Sequence, residues 1–138
     1  MTGMKKSMLT VAMVAIGALA GAITLAAEVN VKLSGASEVP PVNASGSGAG
    51  KITVGDDGAV SGSVTTTGVA GMAAHIHMGA AGKNGPVILP LTKDGDTYKV
   101  PAGAKLTAEQ MTAFKAGELY VNVHTAENKG GEVRGQLK

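Results

Sequence analysis

The sequence predicts an all-β domain: a Greek-key antiparallel β-barrel or sandwich of about seven to eight short strands, with one short helix near residues 108–116. Three observations carry that expectation. From Glu28 onward valine outnumbers leucine by 13 to 6, a bias toward the β-branched residues that suit a pleated sheet. Apolar and polar residues alternate, as in Val29, Val31 and Leu33, or Val60 and Val64 across Gly62. Turn chemistry recurs at plausible hairpin ends, in Asp56-Asp57-Gly58 and Asp94-Gly95-Asp96. A length of 138 residues favours one domain, and 21 glycines against three aromatic residues suit tight corners and bulges better than a bulky core.

Residues 1–27 stand apart from that pattern. Lys5 and Lys6 form a basic start, Met8 to Leu25 carries no charge, and Ala26-Ala27 closes the run, which is the layout of a secretory signal peptide. The alternative is an uncleaved membrane anchor, since the apolar run approaches the ~20 residues a bilayer needs. Cleavage after Ala26 or Ala27 leaves a domain of residues 28–138, exported to the periplasm or outside the cell and with no membrane segment. The leader holds two of the 12 basic residues and no acid, so ten bases face ten acids in the remainder. A chain so neutral, with so few aromatics, offers nothing to track a phosphate backbone or stack on bases, and nucleic acid is not expected as a partner.

Along the domain, Ser34 to Gly50 is rich in Ser, Gly and Pro and reads as an irregular connection between sheets. Met72–Met78, Pro86–Leu91, Leu119–Thr125 and Glu132–Leu137 read as strands. Thr107 followed by Gln110 matches a capping box for a helix over Ala108–Ala116, with Leu106 and Met111 as its hydrophobic staple and Gly117 as its stop. Gly79 to Asn84 superficially looks like a phosphate loop. It lacks the required spacing and the Ser/Thr after lysine, and reads as a glycine-rich turn.

The chemistry concentrates on three histidines. With no cysteine, thiolate metal sites and cysteine nucleophiles are excluded. His75 and His77 flank Ile76 in a strand, so their side chains share a face about 6–7 Å apart along the chain. His124 ends a second strand-like run, Tyr120 to His124, and strand pairing could bring it beside them. Ile76, Val121 and Val123 would then face the core while the histidines face outward, within reach of solvent. Three neutral imidazoles suit copper, with zinc the alternative, and leave a fourth position for water or substrate. A reading in which the histidines only pack or hydrogen-bond in a structural or adhesive module stays open.

Several motifs fall in the order found in a known family. Leu33 to Val42 (LSGASEVPPV), Ala74 to Gly79 (AHIHMG), Asn84 to Val87 (NGPV), Leu119 to Thr125 (LYVNVHT) and Gly130 to Leu137 (GGEVRGQL) resemble the CHRD domain, named after chordin, over about Val31 to Leu137. A weaker resemblance joins His75-x-His77, Val123-His124 and the following Gly-Gly turn to the copper half of the copper/zinc superoxide dismutases. That likeness implies a superoxide-dismutase-like barrel with copper on its outer wall, held by His75, His77 and His124, and Arg134 guiding a small anion such as superoxide. The bridging histidine, zinc ligands and disulfide of those enzymes have no counterpart here. Arg134 reads equally as a solvated strand residue paired with Glu132. A copper carrier or buffer, exchanging the ion with a donor or acceptor protein, is the non-catalytic alternative.

Overall fold

The computed structural model describes residues 26–138; the expected leader, apart from Ala26 and Ala27, lies outside the described residues. Nine strands and one α-helix follow in order: β1 (Ala26–Leu33), β2 (Ser47–Gly55), β3 (Val60–Thr67), β4 (Gly71–Met78), β5 (Val87–Pro90), β6 (Thr92–Asp94), β7 (Thr97–Lys99), α1 (Ala108–Lys115), β8 (Leu119–Thr125) and β9 (Val133–Gln136). They form two antiparallel sheets, β1-β2-β3-β7-β6 and β5-β4-β8-β9. Strand-to-strand steps that change sheet fall at β3–β4, β5–β6 and β7–β8, the last of them through α1.

The sandwich form of the expectation holds and the closed barrel does not. The two sheets keep separate ladders, and a single bridge between Ser34 and Arg134 ties β1 to β9 at one corner. Alternation builds the core as the pattern requires: Val31 and Leu33 of β1, Ile52 and Val54 of β2, and Val64 of β3 meet Ile76, Val121, Val123 and Val133 of the second sheet, all at 3% exposure or less. The capping box forms as expected, Gln110 N–H donating to Thr107 Oγ1 and Thr107 N–H to Gln110 Oε1. Gly117 ends the helix at φ 75°.

One strand was hidden by composition. Ser47 to Gly50, expected within the irregular connection, is the first half of β2 and pairs with both β1 and β3. A Cβ at Gly50 would overlap the Ser63 carbonyl and crowd Val64, so glycine marks a close approach of backbones rather than a loop. The expected strand at Pro86–Leu91 shortens to β5, beyond which Leu91 passes toward the other sheet and donates its N–H to Ala74 O.

The second sheet positions the site. Register pairs Ala73 with His124, His75 with Asn122 and His77 with Tyr120, while Asn122 faces Arg134 and Tyr120 faces Gln136 on β9. Directly paired residues share a face, so one outer surface carries the three histidines, Tyr120, Asn122, Arg134 and Gln136. Two loops fold over it. Residues 79–85 are held by Gln136 Nε2 donating to Gly79 O and Gly85 N–H donating to Tyr120 Oη, and Asn84 Nδ2 donates to Val39 O in the loop after β1. The glycine-rich turn is thus a lid on the sheet. Among the described residues no helix is long and apolar enough to cross a membrane.

Candidate metal centre

His75, His77 and His124 come together as expected, each presenting one ring nitrogen, with those atoms within 4.8 Å of one another. Backbone carbonyls set two of the tautomers. A carbonyl only accepts, so the 2.9 Å contact from His77 Nδ1 to Gly85 O and the 2.8 Å contact from His124 Nδ1 to Lys129 O place hydrogens on both Nδ1 atoms. Both Nε2 atoms therefore keep a lone pair. His75 turns its Nδ1 toward His124 Nε2 at 3.0 Å, near the ~3.3 Å separation of two nitrogens bound tetrahedrally at 2.0–2.1 Å to one ion. Without an ion that contact is a hydrogen bond donated by His75. An ion there displaces the proton, which His75 can carry on Nε2 instead.

Burial holds the His75 and His77 rings below the ordinary imidazole value of 6.5; the neighbouring imidazoles depress His75 further, and at His77 the Gly85 carbonyl opposes the shift. The two rings are thus neutral at pH 7, the state a metal ligand needs. His77 Nε2 is buried and has no hydrogen-bond partner. Leaving a buried acceptor unpaired costs about 1–3 kcal/mol, and an ion bound there removes that penalty. The residues present fit a metal.

The expectation that all three histidines stand open on the outer wall is half right. His75 and His124 are partly exposed at one end of an open depression of about 580 Å³, with Met72 and Val87 on its rim. His77 is only 8% exposed, because residues 79–85 cover it and its ring stacks on Tyr120 with centroids 4.7 Å apart and planes within 5°.

Arg134 departs from the reading that made it a solvated strand residue paired with Glu132. It is 1% exposed, its guanidinium carbon 3.4 Å from the Tyr120 ring centroid. Its Nη2 donates to Lys83 O at 2.8 Å and Ala80 O at 3.0 Å. Glu132 instead accepts from Thr125 Oγ1 and Asn128 Nδ2. The arginine is the post on which the covering loop hangs.

Two residues of the site were missed. Asn122 shares strand parity with His124, a signal present in Tyr120-x-Asn122-x-His124. Glu38 comes from the distant loop after β1 and had no local signal. It is 4% exposed, and burial pushes its carboxyl up to about 7 against the opposing pull of the Asn122 amide and the Arg134 charge.

The model of the CHRD domain matches residues 29–137, nearly all of what the structure describes. The chain belongs to the CHRD domain family. No curated protein and no solved structure matches it significantly. In this CHRD domain His75, His77 and His124 form one cluster compatible with metal binding.

Proposed function

We propose that this CHRD domain is an exported copper-binding module that holds one ion through Nδ1 of His75 and Nε2 of His77 and His124. The observation that carries the reading is the buried, unpartnered His77 Nε2, locked by the Gly85 carbonyl in the tautomer that leaves its lone pair free. An all-imidazole donor set suits copper in either oxidation state, and among divalent first-row ions such a site favours copper over zinc. A bound copper ion supplies one-electron chemistry. The chain contributes neutral ligands, fixed ring orientations and a depression through which a small molecule or a partner's donor atom reaches His75 and His124.

Metal analysis of purified protein tests this first. One copper per chain, lost in His77→Ala while the fold is retained, is the expected result; a metal-free protein that takes up no copper leaves the histidines as packing groups in a structural module.

A second reading, superoxide dismutation, is favoured by that open approach to His75 and His124. It requires no anion guidance from Arg134, whose guanidinium is buried. Stopped-flow decay of superoxide separates it from a carrier: copper-loaded protein accelerates decay and His75→Ala does not, whereas a carrier binds copper without turnover.

A further inference from the structure

Among the described residues three buried side-chain atoms lack a hydrogen-bond partner: His77 Nε2, Asn122 Oδ1 and Glu38 Oε2. They are not scattered. Asn122 lies directly opposite His75 in the β4–β8 ladder, on the same face as His77 and His124, where paired Cβ atoms are about 4.5–5.5 Å apart. One contact sets the orientation of its amide. Nδ2 donates to Gly130 O at 3.2 Å, and reversing the group would set two oxygens against each other. Glu38 lies at the same end, since a Cβ at Gly131 would overlap both Asn122 Nδ2 and Glu38 Oε2, so only glycine fits between the strand and that loop. Oδ1 is buried without a partner on the sheet face that carries the imidazoles.

Two acceptors, a ring nitrogen with a free lone pair and a carboxamide oxygen, therefore share one buried pocket with no donor between them. That pairing is unfavourable for a metal-free site and favourable around a cation. Resting on the three-histidine reading above, we propose that Asn122 Oδ1 is a fourth ligand, so that the centre consists of three imidazoles and one neutral oxygen. Gly130, whose carbonyl accepts from Nδ2, then positions the amide, and Gly131 leaves it room.

Such a ligand has a signature that a packing residue lacks. A carboxamide oxygen is a hard donor, useful to Cu(II) and Zn(II) and of little use to Cu(I). Asn122→Leu is therefore expected to weaken Cu(II) and Zn(II) binding by about tenfold or more while Cu(I) affinity stays within about threefold. The vacated position should also admit azide, seen as a new charge-transfer band on the Cu(II) protein. Equal losses for Cu(I) and Cu(II), or an unchanged Cu(II) affinity and electron paramagnetic resonance spectrum, overturn the assignment. Should the leucine variant not fold, the natural sequence decides: with 13C-asparagine incorporated, pulsed resonance on the Cu(II) form should detect strong coupling to a carboxamide carbon. A fully loaded protein without that coupling refutes the fourth ligand and leaves the histidine site standing. Failure of the unmodified protein to bind copper refutes both.

Discussion

The two sheets of the sandwich use the same alternation to opposite ends. In the first, the outward residues are ordinary: Glu28, Asn30 and Lys32 on β1, Lys51 on β2, and Ser61, Thr65 and Thr67 on β3 are all exposed. Their polar atoms meet water, and nothing is lost by leaving them there. In the second, the outward residues are polar too, but Tyr120, Asn122 and Arg134 are at 2% exposure or less and His77 at 8%. Burying polar groups is unfavourable unless each finds a partner, and here Arg134 and His77 find theirs largely in the loop carbonyls of Ala80, Lys83 and Gly85. The unpartnered atoms of the described chain collect on this face alone. A sheet that hides its polar side at such expense, beside one that does not, supports the proposal of a cation site there.

The sharpest way to break this contrast is to remove the post. Arg134→Met keeps the aliphatic stem but removes the donors to the Ala80 and Lys83 carbonyls and the guanidinium over Tyr120. Losing the several hydrogen bonds donated by a buried charged group should lower stability by about 3–5 kcal/mol, measured by urea unfolding of the metal-free protein. Copper affinity should fall with it, because the loop that donates the Gly85 carbonyl to His77 is no longer held. A loss under about 1 kcal/mol would show that the covering loop does not depend on the arginine.

How much of this was legible follows from where each signal lives. The strands of the core announced themselves through Val31, Val64, Ile76, Val121 and Val123, because alternation is local. The histidine cluster was legible for the same reason, as His-x-His sets two rings on one face and the chain has no other histidine outside Tyr120 to His124. Burial of the outer face was not. It depends on residues 79–85 and 34–42 folding across the sheet, contacts between segments distant in sequence such as Arg134 with Ala80 and with Ser34, and no periodicity encodes them. That is why Arg134 read as a solvated residue and Glu38 did not register at all. The glycines misled in the other direction at β2, where Gly48 and Gly50 resembled a linker and in fact permit close strand approach.

A smaller effect sharpens the comparison through pH. Glu38 is pushed up to about 7 from an ordinary 4.5, so between those values the folded chain holds a proton that the unfolded chain has released. Its contribution is therefore complete below pH 4.5 and is lost as pH rises through 7. His75 and His77, held below 6.5, act with the opposite sign: their contribution is complete above pH 6.5 and is lost as pH falls below it. Glu38→Gln removes only the first effect. The variant should gain on the unmodified, metal-free protein by up to about 3 kcal/mol between pH 4.5 and 7.5, read from paired denaturation curves. A difference independent of pH would mean that the buried carboxyl titrates normally and that the second sheet imposes no desolvation on it.

The smallest effect is the one the first sheet should give, and it is the control on which the contrast rests. Lys99 Nζ lies 3.1 Å from Asp94 Oδ2, but the two side chains are 56% and 71% exposed, and such pairs contribute about 0.2–1 kcal/mol at most. Thr65 and Thr97 share a 2.9 Å hydroxyl contact on the same outer surface, also open to water. Lys99→Ala should therefore shift the unfolding midpoint by less than about 0.5 kcal/mol. Thr65→Val, which exchanges one β-branched residue for another at an exposed strand position, should do no more. Neither should alter copper stoichiometry, since both lie on the sheet that carries no histidine. If either substitution destabilised the protein by more than about 1 kcal/mol, the outward face of the first sheet would be organised as tightly as that of the second. Buried polar contacts would then be a general property of this sandwich and no longer a mark of its metal centre.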